Sequence, residues 1–155
     1  MNRLFAPVLL ALGIGLAACG GSNTVTLPPT NFPTTQALPA IQIQNRVINL
    51  NAKSGYQYVK LSLDVQFADT SGQFAKAKGD ALKKLEDTFA LDNQALVPAF
   101  NDVVTTDVSQ KSPQELATSD GKEALRKQLI GDFNSRLAPG SAPVLYVNFA
   151  DFVMQ

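Results

Sequence analysis

The chain has 155 residues, 45% hydrophobic and 17% charged, which is enough apolar material for one packed domain and unlike a disordered chain. Thirteen basic side chains balance thirteen acidic ones, so the positive footprint that nucleic-acid binding requires is absent. With no histidine and one cysteine, Ser-His-Asp and Cys-His catalysis, histidine-ligated metal and an internal disulfide are excluded.

Residues 1–18 have the pattern of an export signal. Arg3 supplies the positive start, and Leu4 to Leu16 is an apolar run, too short for a membrane-spanning helix of roughly 20 residues. The run ends in Leu16-Ala17-Ala18-Cys19, followed by Gly20, Gly21 and Ser22. Small residues let the chain enter a peptidase site extended, and a cysteine just after the cut offers its thiol to diacylglycerol. This matches the bacterial lipobox, so cleavage before Cys19 and lipidation of Cys19 are expected. Loss of Arg3 then leaves a mature charge of −1. Each buried acyl CH₂ contributes roughly 0.8 kcal/mol, so an anchor of two or three acyl chains holds firmly. Membrane lipid, bound through Cys19, is one expected partner. The body then lies on the extracytoplasmic face of the cell membrane, the periplasmic side where a host has two membranes.

Residues 19–40 form a tether in which Pro28, Pro29, Pro33 and Pro39 stand among threonines. Such a segment favours extended polyproline geometry, at about 3.1 Å per residue, and spaces the domain from the bilayer. The folded domain is expected over 41–155. Ile41, Ile43 and Val47, then Ile48 and Leu50, predict a strand whose inward face shifts around Asn45-Arg46. Val59, Leu61, Leu63, Val65 and Phe67 alternate with polar residues, the period of a strand with one wet face. From Asp80 the period becomes helical: Ala81, Leu82, Leu85 and Phe89 share a face opposite Lys83, Lys84, Glu86 and Asp87. Asp92-Asn93 and Pro98 predict a break, after which Val97, Phe100, Val103 and Val104 continue a stripe.

Ser112-Pro113-Gln114-Glu115 has the cap, first-turn proline and returning acid of a short helical turn. A last helix, capped by Ser119 or Asp120, is expected to bury Ala124, Leu125, Leu129, Phe133 and Leu137 and to expose Lys122, Arg126, Lys127 and Arg136. Pro139-Gly140-Ser141 stops it. Val144 to Met154 is almost wholly apolar, which predicts a central strand covered on both faces. The order strand, strand, helices, strand gives an α+β domain with helices packed on a mainly antiparallel sheet.

The sequence offers little chemistry. Glu86, Asp87, Glu115, Glu123 and Asp132 fall on expected wet helix faces, and aromatic residues sit at core spacing. Asp151, within the apolar last strand, is the one conspicuous carboxylate; it is expected at a sheet edge or an interface. No cofactor or metal is expected, and the folded part is not expected to be an enzyme.

Several stretches nonetheless have the order and spacing of a known family. The run from Lys111 to Arg126 (KSPQELATSDGKEALR) resembles the Lys-Ser/Thr, Glu-Leu, Gly-Lys, Leu-Arg stretch of FliL, the flagellar basal-body-associated protein. Asn134 falls where that family has an asparagine before the last helical turn. Val147 to Gln155 is similar to its closing strand, ending in Phe-Val-x-Gln, and Tyr58 to Leu63 to its early amphipathic strand. The resemblance covers roughly residues 55–155. It implies an SPFH/stomatin-like fold and a scaffold that assembles as a homo-oligomeric ring and supports the flagellar stator proteins in motility. Asp151 and Gln155, in the stretch similar to that closing strand, are the candidate interaction residues. Family members usually carry an N-terminal transmembrane helix where this chain has a lipobox; the working domain keeps its side of the membrane but loses contacts made through such a helix. An extracytoplasmic envelope or ligand-binding lipoprotein, unconnected to flagella, is the alternative.

Overall fold

The computed structural model describes residues 36–155; Cys19, the expected export signal and most of the expected tether lie outside the described residues. A three-stranded antiparallel sheet has the order β1 (Ala40–Asn49), β2 (Tyr58–Phe67), β3 (Val144–Met154). Four helices fall between β2 and β3: α1 (Gly79–Asp92), α2 (Leu96–Ser109), α3 (Pro113–Leu116) and α4 (Ser119–Arg136). The class is therefore α+β, as the element order predicts. β1 begins at Ala40, and the Phe67 N–H donates to the Pro39 carbonyl at 2.8 Å, so the sheet's hydrogen bonding reaches the residue before it.

β2 is the central strand, and Val59, Leu61, Leu63, Val65 and Phe67 are each at most 2% exposed. These face α2 and α4, whose Phe100, Val104, Val108, Leu125, Leu129 and Phe133 complete the core. Rings run through it without interruption: Phe67 meets Phe89 at 5.3 Å and Phe100 at 6.2 Å, and Phe100 stacks on Phe133 at 4.3 Å. The expected shift of face in β1 is a bulge between Ile43 and Arg46, where Asn45 adopts φ 54°. Its extra residue moves the inward phase from Ile41 and Ile43 to Ile48 and Leu50.

Several expectations need correction. β3 is an edge strand, not a central one. Bulges between Ser62 and Leu63 and between Gln66 and Phe67 insert extra β3 residues, so Val144, Val147, Phe149, Phe152 and Met154 all turn toward the core. Two phase shifts make a one-sided strand look apolar throughout. α1 buries no residue; Leu82, Leu85 and Phe89 are half-buried and Ala81 is exposed. Thr118, not Ser119 or Asp120, caps α4, its hydroxyl accepting from the Gly121 N–H at 3.0 Å. Ala124 is exposed, whereas Lys122, Arg126, Glu123 and Asp132 are half-buried rather than wet.

Candidate interaction surface

The helices cover one face of the sheet, and among the described residues no helix covers the other. Register places Gln42, Gln44 and Val47 of β1 beside Lys60, Ser62 and Asp64 of β2, and these beside Asn148, Asp151 and Val153 of β3. The β1 and β3 bulges flank Ser62 from both sides. Between them lies a shallow pocket of about 200 Å³, lined chiefly by Gln42, Gln44, Asn45, Ser62, Asp64 and Asp151. Ser62 is buried and its hydroxyl accepts from the Asn45 N–H at 3.1 Å, which holds the kink in β1. Asp64 accepts from Gln66 at 2.9 Å; among the described residues neither Asp64 nor Asp151 is ion-paired.

Toward the other end of the same face the chemistry changes. Val47 is 63% exposed, Val153 48% and Tyr58 40%, with Lys60 between the valines. Carboxylates and amides beside an exposed apolar strip suit the recognition of another macromolecule. Asp151 thus stands exposed on an edge strand, where the sequence puts it. Gln155 is exposed as well, but its backbone is bound: its N–H donates to Tyr58 and its carbonyl accepts from Gln57 and Tyr58. The two are not brought together; Asp151 pairs with Ser62, and Gln155 sits at the Tyr58 end.

The stretches that carry the resemblance are spread along α3, α4 and the sheet. Ser112 and Glu115 form a reciprocal capping box, and the Ser112 hydroxyl and N–H hold the Glu115 carboxyl below its usual range. Gly121 lies so close to the Glu115 carbonyl that an added Cβ would come within 1.8 Å of its oxygen. Asn134 bonds the Val144 peptide twice, donating to its carbonyl at 3.0 Å and accepting from its N–H at 2.8 Å, as a neighbouring strand would. Lys122 lies 4.9 Å from the Phe152 ring and Arg126 5.2 Å from Phe149, so α4 clamps the inner side of β3 through cation–π contact.

Sequence reasoning missed Asp107, which is 6% exposed. Its signal was present: Asp107 continues the stripe of Phe100, Val103 and Val104, and Asp132 lies beside Phe133 on the buried side of α4. Burial, then the charge and contact of Asp132, push the Asp107 carboxyl up to about 6 against the smaller opposing effects of Gln128 and Lys111.

A wider open groove, about 760 Å³, runs between β1 and α1 with Ile41 and Leu91 among Glu86, Asp87 and Gln94. Among the described residues no helix is long and apolar enough to cross a membrane. No curated protein matches the chain. The model of the family described as flagellar basal body-associated protein FliL matches residues 40–155, the whole of the folded domain.

Proposed function

Because the chain belongs to the FliL family of flagellar basal-body-associated proteins, we propose that it is a non-enzymatic scaffold, lipid-anchored through Cys19 outside the cell membrane, that oligomerises and supports the motor's stator units. The match over 40–155 carries this reading. The membership ties the chain to the flagellum and to motility; the anchor, the oligomer and the stator contact extend it. Three features support the extension. The lipobox at Leu16-Ala17-Ala18-Cys19 offers an attachment at the membrane. The long edge strand β3 and the open sheet face, with Val47, Tyr58 and Val153 exposed, leave surface for copies of the chain or a partner. Binding chemistry, rather than a nucleophile with its base, is what that face presents.

The test is co-precipitation from detergent-extracted membranes of a motile host after mild cross-linking. Recovery of stator proteins with the chain, together with a ladder of its own multimers, is expected. Recovery of multimers without stator proteins would remove the stator role. Recovery of neither would leave the envelope or ligand-binding lipoprotein, for which the groove between β1 and α1 is the place to look.

A further inference from the structure

The inner part of the seam between α2 and α4 is apolar, built from Phe100, Val104, Leu129 and Phe133. Asp107 of α2 enters the seam, and Asp132 of α4 lines the same cavity of about 210 Å³, with Thr106, Ser135 and Arg136. Asp107 is 6% exposed, and its Oδ2 is buried without a hydrogen-bond partner. Two carboxylates facing one small cavity, one of them buried, resist being ionised together without a counter-charge.

The charged groups around the pair do not supply one. Arg136, on α4 at the rim, directs its guanidinium to Asp102 of α2 at 3.6 Å. Lys111, beyond the end of α2, lowers Asp107, as does the amide of Gln128 on α4, each by less than burial and Asp132 raise it. Arg46, from β1, donates instead to the Thr105 hydroxyl of α2 at 3.2 Å. A divalent cation is a poor substitute. Hard cations take six to eight oxygen ligands, whereas the described residues hold no group of three or more carboxylate, histidine or cysteine side chains.

We propose that Asp107 and Asp132 form a carboxyl–carboxylate pair that shares one proton across the α2–α4 seam and makes the packing of these helices respond to acidity. The proton gives the orphan oxygen a partner: one carboxyl donates and the other accepts. When it leaves, two negative charges face each other and the seam loosens. α4 is also the helix that clamps β3 through Lys122 on Phe152 and Arg126 on Phe149, so the response reaches the edge of the open sheet. This inference does not depend on the flagellar reading.

The sign follows from linkage. The folded-state value of Asp107, about 6, lies above the unfolded 3.8, so the folded state holds the proton more tightly. Stability from this pair is present below pH 3.8 to its full extent and is lost as pH rises through about 6. Carbon-detected NMR of side-chain carboxyls in the purified full chain, titrated from pH 3 to 8, tests the idea. The Asp107 carboxyl is expected to titrate near pH 6 and to fall toward the ordinary range in Asp132→Asn. In urea unfolding, wild type should lose roughly ten- to a hundredfold in its folding constant between pH 4 and 7.5, relative to Asp107→Asn. If that variant does not fold, the wild-type and Asp132→Asn titrations decide alone. An ordinary Asp107 titration, or one that Asp132→Asn leaves unchanged, overturns the shared proton. So does a shift of both carboxyls by millimolar calcium at pH 7.5, which would make the pair a cation site.

Discussion

Gly121 shows how a single missing side chain positions two elements. The Thr118 hydroxyl accepts from its N–H and donates to the Glu115 carbonyl at 2.9 Å, so α3 and α4 turn tightly around one hydroxyl. There is no room at Gly121 for a Cβ, whereas at Gly131, farther along α4, nothing lies within 4 Å. Gly121→Ala should therefore lose about 2 kcal/mol of stability through overpacking. Gly131→Ala should gain about 0.5–1 kcal/mol from the better helix former. Urea midpoints of the two variants check this; equal shifts would mean that the joint relaxes freely. At this scale the capping box and the β1 kink are readable from residue type alone. Ser-Pro-Gln-Glu has a fixed geometry, and asparagine tolerates a positive φ better than most residues.

Between elements, Asn134 holds the sheet to the helices. Its amide gives Val144 both hydrogen bonds that an additional strand would give, just where β3 begins. Removing it strands a buried peptide group, since Val144 is 2% exposed. Asn134→Ala should cost about 2 kcal/mol and speed hydrogen exchange at the Val144 amide; unchanged exchange there would show that the pairing is dispensable. The helices and the two clearest strands are legible in the sequence because hydrophobic period reports burial directly. β3 was misread for an equally physical reason. Each bulge resets the inward phase, so a strict period of two disappears and the strand resembles one covered on both faces. Lys122 and Arg126 were misread because long cationic side chains carry apolar stems and can lie over rings while keeping a polar tip. Asp107 went unread because its partner lies on another helix, and spacing along one helix does not reveal contacts across a seam.

For the molecule as a whole, the helices close one side and leave an open sheet face with a mixed polar and apolar surface, joined through residues 36–39 to the proposed tether. Acid should act on this body in two opposing ways. Asp107 makes it firmer as pH falls through about 6, while Glu115, whose carboxyl is held low by Ser112, withdraws its contribution once pH drops below the ordinary glutamate range. A stability maximum on the acid side of neutrality is the expected sum. The proposed lipid attachment belongs to this scale as well, because an anchor decides where the body works. Cys19→Ser should leave the chain unprocessed or release it from pelleted membranes, and normal maturation with unchanged pelleting would refute the anchor.

The proposed role beside the flagellum rests on family membership and on an exposed sheet face of mixed polar and apolar chemistry. Swimming of a motile host lacking this gene, in media of rising viscosity and with the wild-type gene restored in parallel, tests it most directly. The deletion strain should swim more slowly or fail under load, and the restored gene should recover it; undiminished swimming at every viscosity would contradict the motor role.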